Sequence, residues 1–246
     1  MNFYFDLHCH PGTKPYLSGV NFDEKDNCWK VYENPLVKIT CSQSAYTQLD
    51  KAKVKLAVVP IYVMEKEFTQ TFLIEHIAPT LTLLDGKMLN EIQIGDGLDH
   101  LFGEIQLLEN SLSRTKEEGP KAKFLKSIND FEKDKINIVL AIEGAQGIIN
   151  GPNSMVENLT MLKNHPTYRF FYFTLIHATR NYCGTHAYAI KMLKGTNKFK
   201  PGGEGLTPLG KKLIDLAYDE EKVKRILIDI KHMSLVSRLD FYSYCA

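Results

Sequence analysis

The stretch DLHCHP, residues 6–11, places His8 and His10 two positions apart, directly behind the apolar residues Phe3, Tyr4 and Phe5. On a β-strand, positions i and i+2 share one face, so the two imidazoles converge. Paired imidazoles of this kind are a natural start for a divalent-metal site. Three further residues of suitable chemistry close other apolar runs: Glu143 in AIEGAQG, His177 in LIHATRN and His232 in ILIDIKHMS. Imidazole and carboxylate together suit zinc or a similar first-row metal. Each residue also has a plainer reading. A single histidine at the end of a strand is usually capped or solvated, and Glu143 could simply open a loop. A carboxylate at the rim of so apolar a segment is costly unless paired or metal-bound, and all five residues share that placement. The shared placement is what selects the metal site.

The elements that must position these residues are short and strongly apolar. Residues 3–7 (FYFDL), 54–64 (VKLAVVPIYVM), 136–142 (INIVLAI), 168–176 (YRFFYFTLI) and 226–230 (ILIDI) read as strands buried on both faces, as in parallel sheets. Residues 65–94 and 97–133 carry helical patterns, and Asn158 to Lys163 form part of a shorter helix. The clearest helix follows GLTPLG: Thr207 can cap it, Pro208 suits its first position, and Leu209, Leu213, Leu216 and Ala217 recur at helical spacing. Strand and helix in alternation predict an α/β fold with right-handed crossovers. The 246 residues suit a single domain of TIM-type (β/α)8 barrel kind, where active sites are built at the carboxyl ends of the strands. Residues 12–50 read as an irregular insertion and residues 194–206 as a loop.

Other residues are assigned by the same rule. His76, His100, His165 and His186 lack a strand-end position and are expected at the surface or in loops, His186 being the least clear. Cys9 points to the face opposite His8 and His10 and is expected in the core. Arg180 and Tyr182 lie just past His177, where they either line the pocket or sit in a solvated loop.

Composition narrows the function classes. The formal net charge of +1 provides no basic field for nucleic acid or anionic membrane. No apolar run approaches the length of a membrane span, and the amino terminus lacks the pattern of a signal peptide. Five scattered cysteines without a CxxC pair read as reduced thiols. A cytoplasmic protein is the resulting expectation.

The segments DLHCHP, AIEGAQGI, FTLIHATRN, GLTPLGKKLIDLA and ILIDIKHMS, in this order, resemble the membrane dipeptidase (renal dipeptidase) family of the amidohydrolase superfamily. The resemblance implies a β/α barrel with two zinc ions sharing one glutamate. By it, His8 and His10 would hold the first ion, Glu143 would bridge both, and His232 would hold the second. His177 would contact the substrate and help stabilise the tetrahedral intermediate. Arg180 and Tyr182 are candidate substrate-binding residues by their position just past His177, not by the resemblance. The implied reaction is hydrolysis of a dipeptide's amide bond by a metal-activated hydroxide. The resemblance also allows a homodimer, with no interface legible in the sequence.

Two departures from the family stand out. The family usually has His-x-Asp where this chain has HCH. The sequence also reaches Ala246 soon after the fifth apolar run, without counterparts of the family's second histidine for the second metal, its substrate-binding arginine or its late aspartate. About five of the eight β/α units are therefore expected here, in a chain that is truncated or completed by a partner. The second zinc, left with Glu143 and His232, is expected to bind weakly. Two other functions stay open: another amidohydrolase acting on a different amide, a lactone or an acylated amino acid, and a non-catalytic metal- or partner-binding remnant.

Overall fold

A computed structural model describes residues 3–246 except 22, 25–26, 35–40, 72–73, 75–83, 116–118, 120, 151–152, 189–198 and 220–223. His76 and the beginning of the expected loop at 194–206 lie outside the described residues. The described strands are β1 (Tyr4–Asp6), β2 (Val54–Tyr62), β3 (Ala122–Phe124), β4 (Ile136–Glu143), β5 (Phe170–Thr174) and β6 (Leu227–Asp229). They form one parallel sheet in the order β1-β2-β4-β5-β6, with β3 also paired to β4. The long segments VKLAVVPIY and INIVLAIE become the central strands β2 and β4. They are buried almost throughout, as continuous apolar runs in parallel sheets must be.

The sheet is a curled, parallel half-barrel. One contact reports the curl. β2 and β4 lie between β1 and β5, which puts β1 and β5 about 14 Å apart in a flat sheet. Yet the Tyr172 hydroxyl on β5 stands 2.8 Å from Nδ1 of His8, just beyond β1.

The helices are α1 (Thr13–Leu17), α2 (Tyr46–Lys51), α3 (Lys66–Thr69), α4 (Gly86–Ile94), α5 (Gly97–Asn110), α6 (Ser154–Lys163), α7 (Pro208–Tyr218) and α8 (Leu235–Cys245). In α7 the Thr207 hydroxyl accepts from the Gly210 amide at 3.0 Å and Pro208 opens the first turn, as the sequence predicts. Gly210 has a further reason: a Cβ there would meet the Cys183 carbonyl oxygen at 2.3 Å, so only glycine lets α7 lie this close.

The helical reading of 97–133 is corrected. α5 ends at Asn110, β3 follows, and a 3-10 turn occupies Ile128–Asp130. The Gly119–Pro120 pair cannot continue a helix. β3 occupies the same edge of β4 as β5, but earlier along the strand. Asn137 pairs with Leu56 and Lys123, whereas Leu140 pairs with Val59 and Phe170. Within 65–94, the described helices are α3 and α4. Residues 12–50 are less irregular than the sequence suggests. They supply α1, α2 and a 3-10 turn at Asn27–Trp29, and they bury Tyr16, Cys28, Trp29 and Tyr46 in the core. The Trp29 indole donates to the Ser111 carbonyl at 2.9 Å, tying this stretch to the end of α5.

Cys9 packs in the core opposite His8 and His10, and burial pushes its thiol up to about 12. His100 and His186 are not surface residues. His100 is on the buried face of α5, its Nδ1 2.8 Å from the Tyr16 hydroxyl. His186 is fully buried because the chain past His177 returns to pair antiparallel with Met233, and its Nε2 lies 3.2 Å from the Phe199 carbonyl oxygen. His165 lies half-buried just beyond α6. Among the described residues no helix is long and apolar enough to cross a membrane.

Candidate metal centre

Parallel strands deliver their carboxyl ends to one rim. Glu143 is the last residue of β4, His8 and His10 follow β1, His177 follows β5, and His232 follows β6. The curl then points all four imidazoles at one carboxylate. His10 Nε2 stands 3.2 Å from Glu143 Oε2, while Nε2 of His8, His177 and His232 stand 3.4, 3.5 and 3.6 Å from Oε1. The Nε2 atoms of His8 and His10 are themselves 3.2 Å apart. Glu143 is 4% exposed. The turn that follows it needs Gly144, whose φ of +88° lies in the left-handed region that favours glycine.

The outer nitrogens are held as well. His8 Nδ1 meets the Tyr172 hydroxyl at 2.8 Å, His10 Nδ1 the Pro60 carbonyl at 3.1 Å, and His177 Nδ1 the Glu65 carboxylate at 2.7 Å. Pro60 explains itself here. In a strand the N–H and C=O of one residue point to the same side. Pro60 faces the side where β1 has already ended, so its missing N–H costs no ladder bond and its carbonyl is free for His10.

These partners decide tautomers. A carbonyl or carboxylate oxygen accepts only, so His10 and His177 carry their proton on Nδ1. A neutral ring then turns a bare Nε2 toward Glu143, which is stable only with a cation between them. With protons in that role, burial works against the charge on Glu143, but the facing imidazoles of His10, His177, His232 and His8 hold it well below the usual carboxylate range. Burial likewise opposes a charge on His177, and the bonds to Glu143 and Glu65 outweigh it, raising the ring to about 9.

A metal fits the same place. Two nitrogens each about 2.0–2.1 Å from one zinc ion stand about 2.9–3.4 Å apart, the spacing found between His8 and His10. Two donor groups are present, His8 with His10 and Glu143, and Glu143 with His177 and His232; within each, one ligand atom per residue lies within 4.8 Å of the others. His232 Nε2 is buried and has no hydrogen-bond partner among the described residues. An orphaned ligand atom aimed at a carboxylate is what a metal would satisfy.

Arg180 and Tyr182 are not at the carboxylate. They are exposed and line a neighbouring cleft of about 510 Å³ with Lys66, Asn150 and Gln146. Gln146 links the two places, donating to the carbonyl oxygens of Glu143 and Val63 at 3.2 and 3.0 Å.

Three residues here escape the sequence reading. Glu65 stands three positions after β2, as His177 and His232 stand three after β5 and β6, so the strand-end rule could have found it. Tyr172 within β5 gives no such signal. Nor does Glu104 within α5, which is 1% exposed and accepts from the Thr13 hydroxyl at 2.7 Å. Burial raises Glu104 to about 7 against the opposing Thr13 bond and the charge of His10.

No protein-family model and no curated protein matches the sequence. Among solved structures, the chain is similar to the crystal structure of the probable dipeptidase PvdM from Pseudomonas aeruginosa, at 12% identity and a TM-score of 0.54. The match covers 99% of this chain and 50% of that one, so the chain spans half the length of the structure it resembles. At this identity the likeness is one of fold: a curled α/β half-barrel that is dipeptidase-like, carrying histidine and glutamate groups able to hold a metal.

Proposed function

We propose that the protein is a zinc-dependent, dipeptidase-like hydrolase that cleaves the amide bond of dipeptides. The observation that carries this reading is the convergence of four imidazole Nε2 atoms within 3.2–3.6 Å of the Glu143 carboxylate. The candidate ligands are His8, His10 and Glu143 for one ion, and Glu143 with His232 for another, with His177 at the same carboxylate. Zinc bound there would polarise the scissile carbonyl and make water nucleophilic near neutral pH.

The chain's own residues do the rest. Glu143 supplies the charge that both donor groups share. Pro60, Tyr172 and Glu65 orient the imidazoles. Burial of Glu143 keeps bulk water from screening it. Arg180 and Lys66, with Tyr182, line a cleft whose size is in the range of small-ligand sites, about 300–1,000 Å³, and would receive the substrate's carboxylate end.

The test is hydrolysis of a dipeptide panel by zinc-loaded protein and by Glu143→Gln. The expected result is turnover by the wild type and a loss in the variant beyond the about 10–100-fold that outer-shell changes cost. Equal turnover by both would overturn the reading. Turnover of acylated amino acids or lactones, but of no dipeptide, would replace the substrate class.

A further inference from the structure

Glu65 is 2% exposed, and both its oxygens are engaged. Oε2 accepts from the Tyr62 hydroxyl at 2.7 Å, and Oε1 accepts from the Ala178 amide at 3.0 Å and from His177 Nδ1 at 2.7 Å. These donors are fixed in place: Tyr62 ends β2 and Ala178 is the next residue after His177. A carboxylate held by an O–H and an N–H has no proton to return. It therefore keeps a proton on His177 Nδ1, so Nε2 is the atom that faces the centre and would be offered to a metal there.

That nitrogen has company. It lies 3.5 Å from Glu143 Oε1, and the His177 ring centroid is 4.4 Å from that of His232. His232 Nε2 stands 3.6 Å from the same carboxylate oxygen and is without a hydrogen-bond partner among the described residues. The ligand atoms of Glu143, His177 and His232 lie within 4.8 Å of one another.

The geometry points to His177 as a ligand of the second metal ion, with Glu65 as the buried positioning residue that fixes its tautomer and aim. The inference rests on the metal reading proposed above and deepens it. The family resemblance gives His177 to the substrate and leaves the second ion with two ligands from this chain; here it has three. A carboxylate behind a ligating imidazole is the usual outer-shell arrangement, because it orients the ring and raises its basicity.

The test is zinc binding by the full chain, measured as metal content and by competition with a chromophoric chelator, for wild type, His177→Ala and Glu65→Gln. Wild type is expected to hold two ions and His177→Ala one. Glu65→Gln is expected to weaken the second ion about 10–100-fold with the first unchanged. Glutamine can still accept from Ala178 and His177, so a change in fold is not the expected cause. Should either variant fail to fold, nitrogen NMR of histidine-labelled, zinc-loaded wild type reads the same point: His177 protonated on Nδ1 and zinc-bound through Nε2 supports the inference, and a proton on Nε2 overturns it. Two ions held by His177→Ala with wild-type affinity would overturn the inference and leave the metal reading standing. A single wild-type ion retained by His177→Ala would do the same. Wild type without zinc would overturn the metal reading itself.

Discussion

The Tyr172 hydroxyl lies 2.8 Å from His8 Nδ1, joining residues 164 positions apart, one on β5 and one just past β1, with two strands between. The contact exists because the sheet curls, and it places an outer-shell partner on a candidate ligand of the first ion. Tyr172→Phe removes the oxygen and keeps the ring. We expect first-site zinc affinity to fall about 10-fold or more, with stability changing by about 1 kcal/mol or less. Chelator competition and urea denaturation measure the two effects separately. Unchanged affinity would mean that Tyr172 only packs there.

The metal-free protein should lose stability in mild alkali. His177 is raised from 6.5 to about 9, so its contribution is fully present below pH 6.5 and is lost as pH rises through 9. The loss should be roughly 2–3 kcal/mol. Urea denaturation of chelator-treated protein across this window checks it, with His177→Gln as the variant that should lack the slope. Zinc takes the place of the proton, so the stabilisation gained from zinc should grow over the same range.

Glu104 gives an opposite case for a carboxyl group. Burial raises it from 4.5 to about 7, so between these values the unfolded chain ionises while the folded one keeps its proton. Stability should therefore fall as pH rises from about 4.5 to 7, by at most roughly 3 kcal/mol. Glu104→Gln should flatten this part of the profile. A variant with the wild-type slope would assign the slope to other groups.

Gly210 tests whether the GLTPLG segment is packing or chemistry. Its Cβ would lie 2.3 Å from the Cys183 carbonyl oxygen, a backbone atom that cannot swing aside. Gly210→Ala should cost about 2 kcal/mol or more, seen as a lower melting temperature, and leave zinc stoichiometry as in wild type. A stable variant with altered metal content would place this segment in the site instead.

The sequence alone determined what depends on neighbours along the chain. Continuous apolar runs marked five of the strands, including β2 and β4. Thr207 and Pro208 marked the start of α7. Period-two alternation set Cys9 against His8 and His10, and strand-end positions selected Glu143, His177 and His232. Local rules also misled where a pattern ran past its support, as in the helical reading beyond Asn110, and where a loop folded back inward, as at His186. Only the tertiary structure decided what depends on the curl. Twist accumulated across the sheet brought four rim imidazoles to one carboxylate, put Tyr172 behind His8, and paired Glu65 with His177 across 112 positions. Such pairings are fixed by how strands stack and bend together, and no periodicity within one strand encodes them.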